Sequence, residues 1–172
     1  MRHASLADGM KRSRRFPKRM KHNEMIGVTY TIRWPLHAIS FEKIGREILG
    51  ARYSLSLVVC GDHLARRINH AFRAPARDLS ARLPERNRSQ SGNARTGKKN
   101  YSPNVLSFAL GRHEGEIFLN ARKAEREIIK LGIPVRKRVA YLFVHGCLHL
   151  KGYRHGQRME KLEQKFLKKF GF

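Results

Sequence analysis

The hydrophobic positions fall into short, separated stretches, and their spacing predicts nine elements. Residues 28–34, VTYTIRW, are β-branched and aromatic and read as a strand. Phe41, Ile44, Ile48 and Leu49 share one helical face behind a possible Ser40 cap, and Gly50 suits the helix stop. Residues 54–60, SLSLVVC, read as a buried strand. Gly61-Asp62 opens a helix with Leu64, Ile68 and Phe72 at helical spacing. Asn104–Leu110 and Glu116–Asn120 are short strands around a Gly111–Gly115 turn. A helix through Ile128 and Ile129 follows. Another starts near Pro134 and carries Val135, Val139, Leu142 and Phe143 on to His149. The last begins near Gln157 with Met159, Leu162, Phe166 and Leu167. Four strands and about five helices in mixed order predict a single α+β domain with a mixed sheet, against a helical bundle or a β-sandwich.

Two segments break the pattern. Residues 1–27 have no helical or strand period and read as a disordered basic arm. Residues 74–100 have few apolar positions and read as a long basic loop. The expected domain is therefore 28–172, with an insertion at about 74–100. No internal repeat is visible.

Charge then enters. The chain has 172 residues, with 37 Lys and Arg against 13 Asp and Glu, a formal charge of +24. The arm holds +6, the loop +5 and the remainder +13, so the folding part is basic in its own right. Such a charge seeks polyanions, nucleic acid first. No run approaches the ~18 apolar residues of a membrane span, and no apolar stretch follows the N-terminal basic residues, so neither a membrane nor a secretory route is expected. The arm also fits the composition of a mitochondrial transit peptide, with too weak an apolar face to prefer that reading. Cys60 and Cys147 are the only cysteines, no disulfide scaffold, and a reducing cytoplasm is the default.

The chemistry concentrates in residues 144–155, VHGCLHLKGYRH. His145 and His149 lie roughly 40° apart around a helix, one turn above the other. Such pairs also arise by chance. Here the helix around them is apolar, and two unpaired imidazoles would gain it nothing. Gly152 allows the helix to end, and His155 follows where a turning chain can bring a third imidazole to the same point. Three neutral nitrogen ligands leave a fourth position open, as in a catalytic zinc site. Cys147 lies roughly 200° around from His145 and is not a ligand. The H-x-x-x-H-x-x-G-x-x-H spacing is also that of zinc proteases, which place a general-base Glu after the first His. That position is Gly146, so peptide hydrolysis is not expected.

At this point the sequence resembles the YbeY family of bacterial single-strand endoribonucleases and ribosomal RNA maturation factors. The family motif H-G-x-L-H-L-x-G-Y-D-H is matched by His145, Gly146, Leu148, His149, Leu150, Gly152, Tyr153 and His155. The N-V-L-S-F block is present at 104–108, and a helix ending in an aromatic and Arg at Ile68–Arg73. Gly115-Glu116-Ile117 is similar to the family's G-D-I strand. Arg154 replaces the Asp before the third His, removing a carboxylate the family usually offers. The basic loop and the arm are extra, and Met25 stands at a family-like start.

The resemblance implies a metzincin-like zinc-binding helix and one Zn²⁺ held by His145, His149 and His155. It makes Arg73 the functionally important arginine, a clamp for the scissile phosphate. Lys151 and Arg154 flank the ligands and suit neighbouring phosphates; Asn104 and Ser107 would shape the groove. The function implied is cleavage of single-stranded RNA in ribosomal RNA maturation, including the 3′ end of the small-subunit (16S) RNA. The partners implied are ribosomal RNA and small-subunit proteins or precursors. The rival expectation is a non-catalytic ribosome assembly factor with a structural zinc, binding through phosphates alone.

Overall fold

The computed structural model describes residues 26–34, 39–80 and 101–172, with side chains in the second stretch only as far as Phe72. Residues 1–25 of the predicted arm and most of the predicted loop lie outside the described residues, while Ile26 and Gly27, assigned to the arm, are the first residues of a strand, so the domain begins earlier than the expected residue 28.

The order is β1 (Ile26–Tyr30), α1 (Phe41–Leu49), β2 (Ser54–Cys60), α2 (Asp62–Ser80), β3 (Val105–Gly111), β4 (Glu114–Asn120), α3 (Ala121–Leu131), α4 (Val135–Leu150) and α5 (Gln157–Lys169). The strands form one mixed sheet in the order β1-β2-β4-β3. β1 and β4 pair parallel to β2, while β3 closes the sheet antiparallel to β4. The α+β architecture with four strands and five helices is the one the hydrophobic pattern predicts.

Alternation along the strands divides the molecule. Leu55, Leu57, Val59, Ile117 and Leu119 turn to one face, where they bury against α1, α3, α4 and α5 in the main core. Val58, Cys60 and Phe118 turn to the other, with Leu64 and Ala65 of α2. The two cysteines therefore sit in separate clusters on opposite faces of the sheet, both free and buried. Burial pushes the Cys60 thiol up to about 12 and raises that of Cys147 as well.

Four local readings differ from the expectation. β1 starts two residues earlier and ends at Tyr30, because its partner β2 ends at Cys60: Tyr30 pairs with Val59, and Thr31 closes the pairing with its amide and hydroxyl both donating to the Val59 carbonyl. Trp34, read as strand, instead leaves the sheet and packs into the main core. Ser40 stands at the start of α1 without a side-chain capping bond. Finally, α2 runs to Ser80, so the first seven residues of the 74–100 segment are helical.

Candidate metal centre

α4 is apolar nearly all round. Val139, Ala140, Leu142, Phe143, Val144, Cys147 and Leu148 are buried. The helix lies against β3 and β4, and Gly146 faces Ile117 and Val105 of those strands. A Cβ there would stand 3.1 Å from Ile117 Cδ1 and 3.3 Å from Val105 Cγ2, tighter than ordinary van der Waals contact. The glycine after the first histidine thus sits in a tight contact with the sheet. A glutamate in its place, as in the zinc proteases, would have to displace both side chains.

Two turns of the helix's polar stripe present His145 and His149. The helix ends after Leu150, and Gly152 takes a left-handed φ of 86° that reverses the chain. The reversal is fixed by amide bonds from Gly152 to the His149 carbonyl (2.8 Å) and from Tyr153 to the Leu148 carbonyl (3.1 Å). It delivers His155 to the other two rings, whose centroids lie 5.1 Å (His145) and 4.8 Å (His149) away. One ring nitrogen from each of the three lies within 4.8 Å of the others. His145 and His149 are half-buried and His155 is exposed, so the cluster opens to solvent on one side.

The hydrogen bonds assign the protons. His149 Nδ1 lies 3.0 Å from the Tyr153 carbonyl, which only accepts, so Nδ1 carries the hydrogen and Nε2 the lone pair. His145 Nδ1 lies 2.7 Å from Glu163 Oε1, which assigns its hydrogen the same way. The two Nε2 atoms then face each other at 3.0 Å. Two lone pairs at that distance repel unless a cation sits between or beside them. Burial, then the neighbouring His145, holds the His149 pKa below its ordinary value, favouring the neutral ligand form. This donor set fits a metal ion.

Glu163 is the residue that sequence reading missed. It comes from α5, is 4% exposed, and accepts a hydrogen bond from His145. The loss of a carboxylate at position 154 had suggested that the ligands lack an acidic partner; α5 supplies one from eighteen residues along the chain. A helix register linking Met159, Leu162, Phe166 and Leu167 was legible, but not which residue of its inner face would be acidic and paired.

The other predicted site residues distribute as follows. Lys151 and Arg154 are exposed beside the three histidines and carry no ion pair among the described residues. Ser107 pairs in register with Ile117 and so projects on the α4 side of the sheet. Asn104 binds both carboxylate oxygens of Glu127 through its amide nitrogen, at 2.8 and 2.9 Å, while Arg138 of α4 binds Glu127 at 2.6 Å. Asn104 thus fastens the start of β3 to α3 and α4, leaving its Oδ1 buried without a partner. Arg73 lies in α2, with its side chain outside the described residues.

Comparison with known proteins places this geometry. The solution structure of TM1509 from Thermotoga maritima shares the fold with a TM-score of 0.53 at 17% identity, over 85% of this chain and 89% of that one. An endoribonuclease YbeY of Thiobacillus denitrificans is 34% identical over 103 residues, spanning 54% of this chain and 70% of the relative. That of Paraburkholderia phytofirmans is 33% identical over 105 residues, spanning 55% and 69%. The family model described as endoribonuclease YbeY matches residues 63–171, from the first turn of α2 to the end of the chain's last helix and including all three histidines. With more than half of its length under that match, the chain belongs to the YbeY endoribonuclease family.

Proposed function

We propose that the protein is a zinc-dependent endoribonuclease that cuts single-stranded RNA, acting in the cytoplasm on ribosomal RNA during its maturation. The observation that carries this reading is the convergence of the His145, His149 and His155 ring nitrogens, two of them with their hydrogens committed elsewhere. A zinc ion held there supplies Lewis acidity toward a phosphate oxygen and lowers the pKa of bound water toward about 7.

The chain's own residues do the rest. Glu163 and the Tyr153 carbonyl hold the two helix imidazoles in the tautomer that points Nε2 outward. Lys151 and Arg154 take the phosphates on either side of the scissile one. Arg73 clamps the scissile phosphate and stabilises its charge in the transition state. Ser107 lines the groove on the α4 side of β3. Gly146 stands where zinc proteases place their general-base glutamate, so the site lacks that base for peptide hydrolysis.

The deciding experiment pairs metal analysis with RNA cleavage. Purified protein should hold about one zinc per chain, and His149→Ala should lose both the metal and cleavage of a single-stranded RNA. Cleavage by His149→Ala at the parent rate would end this reading. Salt-sensitive RNA binding with bound zinc and no cleavage would favour an assembly factor with a structural zinc.

A further inference from the structure

The sheet face opposite the histidines carries an aromatic cluster that the metal chemistry does not use. Phe72 of α2 is 58% exposed, although it is a large apolar ring. Its ring packs on Phe108 of β3 with centroids 4.5 Å apart and planes tilted by 35°. Phe108 meets Phe118 of β4 edge-on at 6.0 Å. The register puts Phe108 opposite Glu116 and Leu106 opposite Phe118, on the α2 face, while Ser107 between them projects toward α4. Neighbouring residues of one strand therefore reach opposite faces: Ser107 the metal side, Phe108 the aromatic side. β3 is the last strand of the sheet, so its outer edge has no strand partner among the described residues.

The helix that carries Phe72 is basic, while Glu116 of β4 stands opposite Phe108 in the register. Arg66, Arg67 and His70 are exposed on the same helix as Phe72, and the two arginines make no ion pair among the described residues. An exposed aromatic ring on a helix that also carries exposed guanidinium groups suits a single-stranded nucleic acid, whose bases stack while its phosphates meet charges elsewhere on the helix. It suits an apolar protein surface less, because burying Arg66 and Arg67 unpaired would be costly.

We propose that Phe72, seated on Phe108, is a base-stacking subsite for single-stranded RNA, so that a bound strand crosses the free edge of β3 between this platform and the metal centre. The proposal rests on the endoribonuclease reading and adds to it a second point of hold on the substrate. Stacking tolerates any base, so the subsite contributes grip and strandedness: a paired base has no free face to offer it.

The test uses the full, zinc-loaded chain and two RNA strands of equal length, one intact and one abasic at several positions. Wild type should bind the intact strand more tightly than the abasic one. Phe72→Leu, which keeps apolar packing on Phe108 without an aromatic face, should lose roughly five- to hundredfold in affinity for the intact strand and change little for the abasic strand. Phe72→Trp should keep the discrimination. An unchanged intact-to-abasic ratio in Phe72→Leu, with wild type still binding and cutting RNA, overturns the subsite while leaving the endoribonuclease reading standing; it would point to a protein partner on this face. Wild type that neither binds nor cuts single-stranded RNA overturns both.

Discussion

Glu163 gives His145 a fixed hydrogen position, and the carboxylate is itself buried. Removing its charge leaves the ligand in place but weakens its orientation and basicity. Glu163→Gln should lower zinc affinity by about ten- to a hundredfold, as outer partners of ligating histidines do; competition against a chelator of known affinity measures it. A fold-neutral substitution with parental zinc affinity would show that the contact is structural only. The histidines were legible in the sequence because all three lie within eleven residues and are placed by one helix and one glycine turn. Glu163 was not, because its contact depends on how α5 docks against α4. The same limit applies to Phe72 and Phe108: each was visible in its own element, and their stacking follows only from the placement of α2 over β3.

At the scale of elements, two contacts set how the site is carried. The first is the α4–sheet contact at Gly146. Gly146→Ala adds a methyl group against Ile117 and Val105, and overpacking of about 1–3 kcal/mol is offset by about 1 kcal/mol of helix propensity, so a net destabilisation of up to about 2 kcal/mol is expected; thermal unfolding of the two proteins checks it. The second fastens α2. Asp62 accepts a bidentate pair from Arg126 of α3 at 2.8 and 2.9 Å, and further bonds from Asn120 (2.9 Å) and Ser102 (3.1 Å). The Arg126 hydrogen bonds above all, helped by those from Asn120 and Ser102, hold its carboxyl well below the usual carboxylate range against the opposing effect of burial. A depressed folded-state pKa stabilises the fold above the unfolded pKa, and that contribution is lost as pH falls through the acid range below about 4. Asp62→Asn should cost about 2 kcal/mol at neutral pH and flatten the decline of stability between about pH 4 and pH 2, measured by denaturant unfolding at each pH. The periodicity placed α1, α4 and α5 closely, since each has one buried face. It misplaced the ends of β1, because where a strand stops depends on where its partner stops. Sheet order was equally invisible: β4 inserts between β2 and β3, and local pattern does not record neighbours.

For the whole molecule, a charge of +24 and a fold with exposed cations beside the histidines and along α2 predict RNA binding dominated by phosphates. Affinity for single-stranded RNA should fall by at least about tenfold from about 50 to about 200 mM salt; a flat titration would show that charge is not the main hold. Among the described residues no helix is long and apolar enough to cross a membrane. The cluster of three histidines is also a joint. Two of its members belong to α4, the third to the reversal that leads into α5, and the Glu163 carboxylate reaches back from α5 itself. An ion that binds there and not to the unfolded chain couples the two helices by mass action. Each tenfold rise in free zinc above its dissociation constant should then add about 1.4 kcal/mol to unfolding free energy. Availability of the metal would in this way govern how long the protein persists as well as how fast it acts, since proteolysis of a transiently opened chain tracks the population of the open form.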